Sequence, residues 1–245
     1  MFRIFVQTVA RASGLAVISR HHAGLRYLEH PPHTMFDQVL LHCFPQLQGL
    51  GFIQVGANDG QRADPLLAYL EPCGWSGLMF EPLAGNHAAL VRRHGSNARL
   101  QIRRAAVDAV GGRRLMYDLD RAAYPALPDW AYGLGSFSRE RLETVVRELG
   151  LGPGAIVSEE VASIAWEDVW REFGARRCDL LVLDTEGYDL VLLRAAGLGQ
   201  HRPRVIHFEH ACVEPADRLA FYSELIALGY EIATDGPDTT AWLHA

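Results

Sequence analysis

The chain has 245 residues, 49% of them hydrophobic, with a formal charge of −6 and a pI of about 6.0; that is enough for one substantial domain, and it lacks the basic balance a nucleic-acid partner leaves. All 23 basic residues other than histidine are arginine, which excludes a P-loop lysine, a pyridoxal Schiff base and a kinase-type phosphate lysine. Cys43, Cys73, Cys178 and Cys212 show no CxxC spacing, so neither a zinc site nor a disulfide framework is indicated, and reduced thiols in a cytoplasmic protein fit best.

Taken in chain order, residues 1–28 carry Arg3, Arg11, Arg20 and Arg26 with no acid, and their apolar pieces are short and broken. No apolar run approaches the length of a membrane span. Residues 1–45 therefore read as an N-terminal helical extension or arm, ahead of a domain over 46–245. A strand at 52–55 runs into the turn "VGANDG", and a helix is predicted from Asp64, with Pro65 at its first position. The strand 78–81 ends at Glu81–Pro82. A helix over 83–95 places Leu83, Ala84, His87, Ala88 and Val91 on one face. A third strand, 100–107, leads to Asp108. Arg103, Arg104, Arg113 and Arg114 lie close together and read as a solvated surface.

Strands at 113–117 and 156–164 flank an aromatic connection of Tyr117, Tyr124, Trp130, Tyr132 and "GLGSFS". Its rings can stack on a sugar or pack on the domain, and its glycines can hinge a lid. "GLGSFS" lacks the GxSxG elbow, so Ser136 is no nucleophile candidate. Helical patterns at 166–174, 189–197 and 215–229 then alternate with strands at 179–184, 204–209, 229–234 and 239–244.

The runs "LLVLD" and "LMFE" are almost wholly apolar and end in an acid, as strands buried on both faces of a parallel sheet do. Their alternation with helices predicts an α/β doubly wound sandwich. Ligands of such sheets bind beyond the carboxyl ends of the strands. Asp59, Glu81, Asp108, Asp184 and Glu209 all fall at or just after such ends.

The acids discriminate between cofactors. A dinucleotide fingerprint counted from Gly56 would need glycines where Asn58 and Gln61 stand, and Asp59 would repel a pyrophosphate, so an NAD-dependent oxidoreductase or epimerase is disfavoured. S-adenosylmethionine carries no phosphate and two positive centres. Gly56 and Gly60 allow close backbone approach to it, and carboxylates can accept from its ammonium. Glu81 can accept both ribose hydroxyls, and Asp108 is within reach of the adenine amino group.

The chain resembles the FkbM-type methyltransferases over roughly residues 50–243, through "QVGANDGQRADPL", "WSGLMFEP", "RRAAVD", "LVLDTEGYDLVLL", "PRVIHFEH" and "LGYEI" in that order. Thr185 stands where that family commonly has valine or isoleucine. The resemblance implies a Rossmann-like class I methyltransferase sandwich, with a mostly parallel seven-stranded sheet and helices on both faces. It implies cofactor contacts at Gly56, Ala57, Asn58, Asp59, Gly60, Glu81, Pro82, Asp108 and Asp184. It also implies that "DTEGYD" (184–189) lies beside the methyl donor, and that the substrate is a sugar, glycan or other hydroxylated small molecule, methylated on oxygen.

An acceptor hydroxyl needs a base, and the candidates are Asp184, Glu186, Glu209 and His210, with His207 sharing a strand face with Glu209. Asp184, Glu186 and Glu209 could instead hold Mg²⁺, although no regular ligand spacing supports a metal. A non-catalytic α/β module that binds S-adenosylmethionine or a nucleoside and acts through a partner is the alternative function. The oligomeric state, a homodimer included, is left open.

Overall fold

The computed structural model describes residues 34–122 and 127–244. Residues 1–33, including the arginine-bearing segment, and Tyr124 lie outside the described residues, as does the side chain of Trp130. In chain order the elements are α1 (Met35–Cys43), β1 (Gly51–Val55), α2 (Leu67–Leu70), β2 (Ser76–Phe80), α3 (Ala84–His94), β3 (Leu100–Arg103), β4 (Ala106–Asp108) and β5 (Gly112–Leu119). They continue with α4 (Arg139–Glu148), β6 (Ile156–Ala165), α5 (Trp166–Phe173), β7 (Leu180–Leu183), α6 (Asp189–Ala195), α7 (Leu198–His201), β8 (Val205–Glu209), α8 (Pro215–Ala227), β9 (Tyr230–Asp235) and β10 (Asp238–Leu243).

Seven strands form one sheet in the order β3-β2-β1-β7-β8-β10-β9. The first five are parallel, and the hairpin β9–β10 closes the edge antiparallel to β8. Strand alternation sorts the core into two layers. Ile53, Val55, Leu181, Leu183, Ile206 and Phe208 face α5, α6 and α8 through Val169, Phe173, Leu190, Leu193, Phe221 and Leu225. Phe52, Met79, Leu180, Val182 and Val205 face the other way, onto Phe36, Leu40, Tyr69, Leu70, Trp75 and Leu90. Each of these large side chains contributes roughly 1.5–3 kcal/mol on burial, so the doubly covered sheet is the main stabilising unit. Among the described residues no helix is long and apolar enough to cross a membrane.

The segment expected as one strand over 100–107 is two. β3 pairs with β2 at the edge of the large sheet, whereas β4 pairs with β6 in a second sheet ordered β4-β6-β5. The break falls at Arg104–Ala105, where the Arg104 guanidinium turns out to Glu159 of β6. Asp108 therefore ends a strand of the small sheet. The face expected for α3 also differs, since its buried residues are Asn86, Leu90 and His94, while Val91 is 41% exposed. The reason is local: Leu90 and His94 pack on the turn at Gly60, and His94 Nε2 lies 3.0 Å from the Gly60 carbonyl.

The helix expected from Asp64 is a single turn, α2. Asp64 Oδ1 accepts from the Leu66 amide at 2.8 Å, and Pro72 follows close behind. Of the segment read as an arm, residues 34–45 are described. There Thr34 and Asp37 make a capping box for α1, whose Phe36, Val39 and Leu40 enter the core. The described residues between Leu119 and Ala155 enclose a small core of their own, built from Leu119, Leu134, Leu142, Val145 and Val146. This insertion, between β5 and β6, lies over the carboxyl edge of the large sheet through contacts to Asn58 and Glu186.

Candidate active site

A cleft opens at the carboxyl ends of β1, β2 and β7. Gly56, Asn58, Glu81, Pro82 and Asp184 line it, so the structure brings five of the sequence candidates to one cavity. Gly56 and Ala57 both donate their amides to the Phe80 carbonyl at 3.0 Å, which folds the 56–61 turn over the end of β2.

Glu81 is 4% exposed and is held at both oxygens. Oε2 accepts from the Asn58 amide at 3.0 Å, and Oε1 accepts from the Leu83 amide at 2.9 Å. Burial pushes its carboxyl up to about 7, against the lowering effect of those two amides. Each oxygen keeps a further lone pair for a ligand hydroxyl. Asn58, at φ +48, donates to the Tyr132 carbonyl of the insertion, and its buried Oδ1 has no partner.

The other half of the cleft is apolar, lined by Ala105, Ala106, Val107, Met116, Phe137, Tyr188 and Leu192. Phe137 and Tyr188 meet edge to face, with centroids 5.3 Å apart. Asp108, expected at the adenine amino group, is instead tied beside this slot. It accepts from Arg114 at 2.6 Å and from the Tyr188 hydroxyl at 2.9 Å, and Arg114 lies over the Phe137 ring. Val107, one residue earlier, forms the wall.

Asp59 is also turned to local work: Oδ1 accepts from the amides of Gln61 and Arg62, and Oδ2 pairs with the Arg62 guanidinium at 3.2 Å. Ala57 and Gly60 are buried in the same turn behind the cavity wall.

Asp184 remains accessible through the cleft mouth, yet it sits among acids. Crowding by protein atoms raises its carboxyl above the usual range, less than full burial would because the residue is exposed, and Glu186, Asp189, Glu209 and Asp238 raise it further. Burial, with Glu186 and Asp189 adding to it, pushes Glu209 up to about 7. Asp189 is fully buried and accepts from the Thr185 amide and hydroxyl at 3.2 and 2.8 Å. Thr185 thus closes the turn through its hydroxyl.

Arg141 of α4 reaches this group, with Nη2 donating to Glu186 Oε2 at 2.7 Å. Cys212 Sγ lies 3.6 Å from Glu209 Oε2. Ligand atoms of Glu186, Glu209 and Cys212 all lie within 4.8 Å of one another, but the Arg141 guanidinium already meets Glu186, and Asp184 is not in that set. Glu186 thus carries an arginine counter-charge within the acidic cluster.

The two histidines have hydrogen-bond partners outside this cluster. His210 is 6% exposed and its Nδ1 is 2.9 Å from Thr239 Oγ1, which in turn meets the Tyr222 hydroxyl at 2.6 Å. Burial and the nearby Arg218 lower its pKa. His207 packs on Phe36 and meets Thr240 at 3.0 Å, and burial lowers its pKa to about 4.

Sequence reasoning missed Arg141, Cys212, Asn86 and Met116. Tyr188 stood inside "DTEGYD" and Phe137 inside "GLGSFS" without a role. The four neighbouring arginines each meet an acid: Arg103 with Glu172, Arg104 with Glu159, Arg113 with Glu160 and Arg114 with Asp108.

Residues 54–232 match the family model for the methyltransferase FkbM domain. No curated protein matches the chain. Among solved structures, an FkbM methyltransferase from Methylobacillus flagellatus KT is similar at 14% identity and a TM-score of 0.48, over 81% of this chain and 44% of that one. The chain thus spans less than half the length of that protein. The human methyltransferase 10 domain containing protein is similar at 11% identity and a TM-score of 0.43, over 99% and 96% of the two chains. The N-terminal domain of human METTL16, solved in complex with SAH, is similar at 10% identity and a TM-score of 0.40, over 81% and 62%.

Proposed function

This chain belongs to the FkbM methyltransferase family, and from that premise we propose that it transfers the methyl group of S-adenosylmethionine to a hydroxyl of a sugar or another hydroxylated small molecule. The observation that carries the reading is the joining of two unlike halves in one cleft. A buried carboxylate, Glu81, stands beside an apolar slot, and an acidic cluster stands at the strand end of β7.

The residues fit the cofactor. Glu81 has free lone pairs for the two ribose hydroxyls, and the slot from Ala105 to Val107 with Met116, Phe137 and Leu192 suits a purine face. The unpartnered Asn58 Oδ1 and the Asp184 carboxylate suit an ammonium. Two acids in this cleft, Glu81 and Asp184, tell against a pyrophosphate. When bound, the cofactor supplies a methyl group activated by a positively charged sulfur.

The chain's own part in the reaction is positioning and proton removal. The insertion lines one side of the cleft with Gly133, Gly135 and Phe137, which narrows the access of water to it. Glu209, poised near neutrality, takes the acceptor hydroxyl's proton on a carboxylate oxygen, while Arg141 balances the charge of Glu186. In this reading Asp184 orients the donor side, and His210, held on Thr239, supports the loop that follows Glu209.

Calorimetric titration with S-adenosylhomocysteine and with NAD separates the cofactor classes. Low-micromolar binding of NAD with none of S-adenosylhomocysteine overturns the proposal. Methyl transfer to a panel of glycans and hydroxylated metabolites, with Asp184→Ala as control, tests the acceptor class.

A further inference from the structure

Glu186 is gripped at both ends by one short stretch of the insertion. Ser136 Oγ donates to its carbonyl at 3.2 Å, and Arg141 Nη2 donates to its carboxylate at 2.7 Å. The two donors are themselves linked: the Ser138 amide donates to Ser136 Oγ at 3.2 Å, and Ser138 Oγ accepts from the Arg141 amide at 3.3 Å, capping α4. Ser136 is 2% exposed, so this ring of contacts is sealed on the serine side.

The gripped residue sits in an unfavourable conformation. Glu186 has φ +53 and is followed by Gly187 at φ +97. A glutamate persists in the left-handed region only where its surroundings over-determine it. Gly133, Gly135 and Phe137 on one side, and Asp184, Thr185 and Tyr188 on the other, form two walls of the cleft from segments far apart in sequence. Arg141 itself is not part of either wall.

We propose that Ser136 and Arg141 form a clamp that fixes the 184–188 turn against the insertion, with Arg141 as a positioning residue that holds both the cleft and the Glu186 carboxylate in register. The inference rests on reading the cleft as the methyl-donor site. A loosened turn must be reordered when ligand binds, so the clamp acts on affinity without touching the ligand.

The test is a mutant cycle read by S-adenosylhomocysteine calorimetry and by amide hydrogen exchange of the free protein. Arg141→Met is expected to weaken binding roughly tenfold, with Arg141→Lys recovering most of the loss. The double variant Arg141→Met/Glu186→Gln should bind no more than about twofold worse than the poorer single one. Exchange at 184–188 should rise at least about tenfold in Arg141→Met while β7 amides stay unchanged. Ser136→Ala, which leaves the ion pair, should give the same exchange pattern more weakly, and it serves if Arg141→Met does not fold. Unchanged exchange at 184–188 in both variants overturns the clamp, as do additive affinity losses or a lysine no better than methionine. If the wild type binds no S-adenosylhomocysteine, the proposed function fails while the exchange measurement still decides the clamp.

Discussion

Gly56 faces the carbonyl of Asp184 so closely that a Cβ on residue 56 would stand 1.8 Å from that oxygen. The two strands are tied at the same level, where the Asp184 amide donates to the Val55 carbonyl at 3.0 Å. The cofactor turn and the acidic turn therefore cross with no space between their backbones, and Gly56 also holds φ +81. Neither condition admits a side chain.

Gly56→Ala should accordingly destabilise the fold by roughly 3 kcal/mol or more, combining a left-handed alanine with a backbone overlap. Urea unfolding should show a lower midpoint with an unchanged slope. A loss under about 1 kcal/mol would mean that the two turns separate freely, and the shape of the cleft would need another explanation.

Asp59 offers a contrast, because its contacts are all within its own turn. Asp59→Ala should cost about 1 kcal/mol of stability, through the lost amide acceptor and the half-exposed pair with Arg62. S-adenosylhomocysteine affinity should fall only about threefold, since no Asp59 atom lines the cleft. A loss beyond about thirtyfold would show that Asp59 meets the cofactor directly after all.

Glu81 makes the free protein's stability depend on pH in a definite sense. Its folded pKa is raised to about 7 from an ordinary value of 4.5, chiefly by burial. Between those values the folded state binds more protons than the unfolded state, so this group's contribution falls as pH rises and is fully lost above about 7. The full span is about 3 kcal/mol as an upper bound. Stability curves of wild type and Glu81→Gln should therefore converge or cross across pH 4.5–7 and run parallel above it. Parallel curves throughout that window would mean that Glu81 is solvated.

What the sequence made legible follows from which signals are local. Leu180 and Leu181, or Leu78 and Met79, announce a doubly covered strand because consecutive residues, which face opposite sides of the sheet, are apolar. Glu81 was readable because an acid at a strand end, next to a proline, has few structural uses. Arg104–Ala105 gave no warning of a strand break, since neither residue is a turn former, and only the partner strand β6 reveals it. Asp108 stood at a strand end as expected, but Arg114 and Tyr188 that hold it are set by tertiary contact. Arg141 was invisible for the same reason: in sequence it is one charge on an amphipathic helix, and its partner Glu186 is 45 residues away.

Glu209 carries the last prediction, because it joins the cluster's geometry to a rate. Asp184, Glu186, Asp189, Arg141 and Cys212 are among the charged or titratable groups coupled to it, and of these Arg141 lowers its pKa by direct charge. The balance leaves Glu209 at about 7, so at neutral pH a large fraction is ionised and able to accept a proton. With an acceptor in hand, Glu209→Gln should lower kcat by roughly 10²–10⁴-fold. S-adenosylhomocysteine affinity should stay within about twofold, because Glu209 does not line the donor cleft. In the wild type kcat should rise with pH around 7, where Glu209 titrates together with the acids coupled to it, and Glu209→Gln should remove most of that rise. If the rise survives in Glu209→Gln and disappears in His210→Gln, the proton passes to the imidazole, and Thr239 would have to release it first.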